Sequence, residues 1–269
     1  MPMFRKIFSG ICAAALAALS LAAFSGCGEA EVNFTLSEDG TYYIVSGVSG
    51  NKGALREYEV PATYPTEDGV ALPVKEIGEE AFMGCTRLLN VTLPEGITRI
   101  GDRAFSKCLF SYFTIPESVT YIGYGAFGMC DSLKQIVIPQ SVTFLDSLAF
   151  AYCSNLEIAV VRADIEVLNE KVFVNSVVNA AGTVYTDTSL KEVYLPSTLT
   201  KIHSTALSGN RISDIYFTGS EEQWNELYFF EMQKSEDDED EYEEVRLEKS
   251  DVLSDSVTVH FNAEYPSLK

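Results

Sequence analysis

Histidine is almost missing from this chain: His203 and His260 are the only two in 269 residues. Neither stands in a metal-ligand spacing or beside a candidate nucleophile, so both read as surface or cap residues. No His-Glu-x-x-His pair, nucleophile elbow or Gly-rich phosphate loop appears either. Hydrolysis, phosphoryl transfer and metal catalysis therefore have no footing, and the expectation is a non-enzyme with no catalytic residue, metal or cofactor. Positive charge is scarce as well. Nineteen Lys and Arg face 39 Asp and Glu, a net charge of −20. Such a chain repels a phosphate backbone and lacks the basic stripe that counterion release requires, which excludes nucleic acid as a partner.

Long apolar runs are confined to the start. Arg5 and Lys6 precede an apolar stretch from Ile11 to Phe24, and Ser25-Gly26-Cys27 follows. A charged opening, an apolar middle and small residues read as an export signal over residues 1–26, short for a stable membrane span of ~20 residues. Small residues just before a cysteine resemble a bacterial lipoprotein signal, with Phe24 where leucine is usual. That resemblance implies cleavage before Cys27 and a lipid on its thiol, hence an exported, membrane-anchored lipoprotein of the cell envelope. Without residues 1–26 the balance is 17 basic against 39 acidic residues. Anionic lipid surfaces repel it, leaving the acyl chains as the membrane attachment. Residues 27–33 read as a tether.

What the chain does have is a period. Phe82, Phe105, Phe127, Phe150 and Phe173 recur at steps of 23, 22, 23 and 23 residues, with Cys85, Cys108, Cys130 and Cys153 following four of them. One unit of this size cannot bury its own apolar face, so the units stack and the core runs as ladders of equivalent side chains. Alternation in Val91-Thr92-Leu93, Phe113-Thr114-Ile115 and Ile136-Val137-Ile138 predicts short strands whose outer pair points inward. Pro94, Pro116, Pro139 and Pro196 lack an N–H and end them. Val119 and Ile122 cover a second side of the coil. Gly78, Gly101 and Gly123 permit a turn that a Cβ would hinder, and Ala-Phe then plugs the interior from a short helical or 3-10 turn.

The stretch Ile77 to Leu88, I-G-E-E-A-F-M-G-C-T-R-L, resembles the BspA-like leucine-rich repeat, and the pattern covers residues 58–219. It implies a β-rich (α+β) solenoid of parallel stacked short strands. The pattern lapses where Arg162 replaces the proline, Ser176 and Asn210 the cysteine, and Leu207 the phenylalanine. The 34-residue step from Arg162 to Pro196 predicts a loop near Val177 to Ser189. Residues 34–57 read as an N-terminal cap, a hairpin of Phe34-Thr35-Leu36 and Thr41 to Val45. Residues 220–269 read as a C-terminal cap: Ser220 to Gln223 form a capping box that opens a helix with Trp224 and Leu227, and Val257 to Phe261 is a closing strand. Similar caps accompany BspA-like repeats.

One cysteine per coil makes a column about one strand spacing apart, ~4.8 Å, which cannot converge on a tetrahedral metal. Cysteine here reads as a small core residue, with oxidation between neighbouring coils left open. The acidic loop at 235–244 carries eight carboxylates between Glu236 and Glu244. It lacks the glycine turn and spaced ligands of an EF-hand loop and reads as a solvated segment.

Between the inward positions lie outward ones: Thr92, Thr114, Val137, Val160, Tyr194 and Tyr216, and two places earlier Asn90, Tyr112, Gln135, Ile158, Glu192 and Asp214. Tyr112, Thr114, Val137, Ile158, Val160, Tyr194 and Tyr216 form the candidate binding surface, an aromatic and aliphatic stripe on an acidic molecule. Strand propensity alone accounts for the same residue types. The function expected is an adhesin-like envelope lipoprotein that binds a protein or glycan; the alternative is a structural envelope module without a soluble ligand.

Overall fold

The computed structural model describes residues 29–267, apart from 176, 179–183, 186–188 and 236–241. The export signal at 1–26 and Cys27 lie outside the described residues.

Coils other than the one at Phe113 carry two short strands at their sides. On one side Gln135–Ile138, Ile158–Val161, Glu192–Leu195, Asp214–Phe217 and Thr258–His260 form a five-stranded parallel sheet. Its register aligns Ile136, Ala159, Val193 and Ile215 as one buried column. On the other side Ala71–Ile77, Arg99–Ile100, Tyr121–Ile122 and Phe144–Leu145 pair in parallel, which stacks Ile77, Ile100, Ile122 and Leu145. Between the sheets runs the phenylalanine ladder. Successive rings from Phe82 to Phe173 stack at 5.3, 5.3, 5.0 and 5.6 Å, tilted by no more than 17°. Identical side chains at a fixed period have one way to lie over one another, and offset stacking is the arrangement that aromatic quadrupoles favour.

The Ala-Phe segment, expected as a short helical or 3-10 turn, is a ribbon of tight turns closed by bonds three residues back. Ala81, Met83 and Cys85 donate their N–H three residues back, to Gly78, Glu80 and Phe82. The N–H groups between them, of Glu80, Phe82 and Gly84, donate to Asp102, Ala104 and Ser106 of the next coil. A helix would keep every donor within its own segment; alternation spends half of them on the neighbouring coil. Gly101 and Gly123 serve this proximity. A Cβ on Gly101 would lie 2.9 Å from the Glu79 nitrogen, and one on Gly123 would lie 2.8 Å from that of Asp102.

The cysteine column hydrogen-bonds along the solenoid. Cys108, Cys130 and Cys153 donate Sγ–H to the carbonyls of Phe82, Phe105 and Phe127, one coil back, at 3.3, 3.2 and 3.2 Å. Asn210, in the cysteine's place, donates Nδ2–H to Phe173 at 2.7 Å. Ser176 lies outside the described residues. All four cysteines are free and buried, and burial pushes the thiols of Cys85, Cys108 and Cys130 up.

Several expectations need correction. No strand forms at Phe113-Thr114-Ile115; only a single bridge joins Tyr112 to Gln135. This coil is one residue short between Cys108 and Phe113, so Phe110 fills the slot that Leu88, Leu133 and Leu156 fill elsewhere, and the ladder stops there. Ala30–Leu36 pairs antiparallel with Tyr43–Gly50, so four residues assigned to the tether are strand. Within the insertion, Val177–Val178 pairs antiparallel with Val184–Tyr185. The acidic segment is partly structured: Tyr228–Lys234 and Tyr242–Leu247 form a hairpin, with Gln233 opposite Glu243. The Glu244 carboxylate accepts from Lys201 and from Tyr228 Oη, which ties one acidic residue of the run to the neighbouring strands. Ser220 caps the helix Glu221–Glu226, and Trp224 and Leu227 are buried beneath the final coils.

Candidate interaction face

The five-stranded sheet presents the outward column Val137, Val160, Tyr194, Tyr216 and His260, in register across successive strands. Its two ends differ. At the C-terminal end Tyr194 stacks on Tyr216 at 4.3 Å, and Tyr216 stacks on the His260 imidazole at 4.5 Å. His260 Nε2 lies 2.8 Å from Asp214 Oδ1, and Tyr194 Oη donates to Glu192 Oε2 at 3.3 Å. Burial, with the Glu192 carboxylate adding to it, pushes the Tyr194 phenol up to about 12. The ring faces are taken up by one another, so this end offers edges and hydroxyls to a partner.

Two residues of the candidate surface are not outside. Val160 is 0% exposed and Tyr194 8%. Val160 stands between Val137 and Tyr194 in the register, and Tyr194 is covered on one face by Tyr216. Large neighbours on a 4.8 Å ladder cover each other, which period-2 alternation cannot express. Ile158, Val137 and Tyr216 are half-buried, while Thr114 and Tyr112 are exposed, Tyr112 by 57%.

The open end lies where the short coil interrupts the sheet. There a shallow depression of about 190 Å³ is lined by Tyr112, Phe113, Thr114, Gln135, Val137 and Glu117. Tyr112, Thr114 and Val137 are thus brought together; Tyr194 and Tyr216 belong to the far end of the column.

A second ladder, on the other sheet, was missed by the outward-residue reading. Glu76, Arg99, Tyr121 and Phe144 align in register. Arg99 pairs with Glu76 at 3.2 Å and sits 3.6 Å above the Tyr121 ring, which stacks on Phe144 at 5.0 Å. Phe144 is 43% exposed. The signal was present in the residue before each inward Ile or Leu, in Arg99-Ile100, Tyr121-Ile122 and Phe144-Leu145. Among the described residues, no group of three or more His, Cys, Asp or Glu could hold a metal ion, and no helix is long and apolar enough to cross a membrane.

Comparison with known proteins finds similar leucine-rich repeat proteins. A leucine-rich repeat protein from Bacteroides ovatus is 21% identical, with 69% of this chain and 57% of that one covered and a TM-score of 0.43. A T. pallidum leucine-rich repeat protein is 22% identical over 69% of this chain and 82% of its own, with a TM-score of 0.45. One from Bacteroides capillosus is 28% identical over 48% and 91%, with a TM-score of 0.41. The chain spans little more than half the length of the first of these. No curated protein matches. Residues 69–179 and 181–236 match the family described as BspA type leucine rich repeat region, in six copies and over more than half of the chain. The fold is of a protein-interaction type, and the chain belongs to the BspA-type leucine-rich repeat family.

Proposed function

We propose that this protein is a non-enzymatic, exported lipoprotein, anchored in a membrane of the cell envelope through Cys27, whose repeat face binds a protein or glycan partner in an adhesin-like manner. The observation that carries the binding role is the open end of the sheet: an exposed tyrosine, Tyr112, beside a depression lined by Thr114 and Val137 on a rigid scaffold. Tyrosine on a preorganised surface supplies contact area at small entropic cost. Supporting the envelope location are the apolar N-terminal run and Ser25-Gly26-Cys27. A structural envelope module is the second reading, favoured by the self-stacked Tyr194, Tyr216 and His260, which leave little ring face for a partner.

Two measurements test the proposal. The intact mass of the protein from membranes should equal residues 27–269 plus acyl chains, and Cys27→Ser should move it to the soluble fraction; an unmodified Cys27 in a membrane-free protein overturns the anchor. Capture from envelope extract and from extracellular matrix should yield a partner that Tyr112→Ala loses. Capture of nothing from either source returns the structural module.

A further inference from the structure

The strand Ala30–Leu36 is the outermost of its sheet, paired with Tyr43–Gly50 on one side and with no strand among the described residues on the other. The Ser37 N–H bonds the Tyr42 carbonyl. Alternation along an antiparallel ladder then turns the backbone groups of Thr35, Asn33 and Glu31 inward, to the paired strand, and those of Leu36, Phe34 and Val32 outward. Among the described residues no backbone group bonds to that outward row. Other sheet edges are blunted. Tyr242–Leu247 carries Glu243, Glu244 and Arg246, Glu57–Glu59 and Thr258–His260 are three residues long, and Thr63–Pro65 ends in proline. Charge, short length and proline are the devices by which sheets avoid pairing at their edges. Ala30–Leu36 has seven residues, no proline and one charge, at Glu31. Ala30, Val32 and Phe34 pack on the core yet stay half-buried, and Leu36 is 41% exposed, since no further strand covers their flank. Glu31, Asn33 and Thr35 alternate with them on the other face.

From this geometry we propose that Ala30–Leu36 pairs antiparallel with the same strand of a second copy of this chain, so that one sheet runs through both across a two-fold axis. What selects a second copy over a foreign strand is that this strand is its own complement. An antiparallel pair of identical strands in which Val32, Phe34 and Leu36 supply the bonds has one register that engages all seven residues, with Asn33 on the axis facing its own equivalent. There Val32 meets Phe34, Ala30 meets Leu36 and Glu31 meets Thr35. Apolar side chains lie beside apolar ones, and the lone carboxylate never faces itself. The net charge of −20 opposes association at long range, and physiological salt screens it beyond about 8 Å. Neither Tyr112 nor Cys27 takes part, so the pairing does not depend on the role proposed for the binding face or on the anchor.

The test is sedimentation velocity of the purified mature chain, carrying Cys27→Ser, across the micromolar range in physiological salt. A closed equilibrium between monomer and dimer is expected. Asn33→Lys sets two ammonium groups face to face on the axis and should weaken dimerisation about fivefold, although it makes the net charge less negative. Thr35→Lys places a cation opposite Glu31 twice over and should strengthen dimerisation about threefold; its site is exposed, which covers the case in which the Asn33 variant is unstable. A monomer at every concentration, assembly beyond a dimer, a Thr35→Lys that weakens association, or association that both lysines strengthen alike, as net charge by itself would have it, overturns the assignment.

Discussion

Tyr265 donates its phenol hydrogen to the Val161 carbonyl at 3.1 Å, the carbonyl that Pro196, at the matching place in the next coil, has no N–H to reach. One coil earlier the same acceptor, on Ile138, is served by the Arg162 N–H, and one coil later the Thr218 N–H serves that of Leu195. The C-terminal tail therefore crosses two coils to fill a donor vacancy that proline creates. Tyr265→Phe keeps the ring and removes the donor, and should lower stability by about 1–2 kcal/mol in urea unfolding. No change would show that solvent reaches Val161.

Phe127 is fully buried and stacked on both sides, at 5.3 Å from Phe105 and 5.0 Å from Phe150. Phe127→Ala should cost about 3–5 kcal/mol, because neighbouring coils are held at strand spacing and cannot collapse into the gap. Equilibrium denaturation measures it.

Tyr112 and Tyr194 should behave differently although both sit at strand positions expected to face outward. Tyr112→Ala, at 57% exposure, should leave stability within about 0.5 kcal/mol. Tyr194→Ala removes a stacked ring of 8% exposure together with the hydroxyl bond to Glu192, and should cost about 2–3 kcal/mol. The two melting curves decide it.

Alkaline pH should destabilise the fold. The folded-state thiols of Cys85, Cys108 and Cys130 are pushed above their ordinary value, and burial pushes the Tyr58 phenol up to about 12. A group whose folded value is raised binds its proton more tightly in the native state, so its contribution is complete below the unfolded value and is lost as pH rises beyond it. Stability should fall from about pH 8.5 upward, through thiols first and phenols above about pH 10. Replacing the three cysteines by alanine should flatten the first part of that fall. The same burial predicts that native protein resists thiol alkylation until it is unfolded.

The Cys130 thiol also supports the Phe105 carbonyl at 3.2 Å. Cys130→Ala should therefore cost about 0.5–1.5 kcal/mol through the lost hydrogen bond in addition to lost packing, since the carbonyl keeps the Cys108 N–H as a donor, and Cys130→Ser should recover part of it. Equal losses for both variants would reduce the cysteine to a space filler.

The period of the sequence was enough for the solenoid, because a 22–23-residue repeat of Phe, Cys, Pro and inward aliphatics admits one stacking, and Phe82 to Phe173 do lie in one column. Period-2 alternation in single strands placed Thr114 and Tyr112 outside. It failed for Val160 and Tyr194, since exposure on a ladder depends on the size of the residues one coil away, and those come from other strands. Only the tertiary structure decided that the cysteines donate to Phe carbonyls, that half the turn donors leave their own coil, and that the missing residue before Phe113 opens the sheet. It also brought Tyr265 back over Val161 and left Arg162 Nε without an acceptor. These are contacts between groups 22 to 104 residues apart, and local pattern carries no account of which donors and acceptors such distances leave unsatisfied.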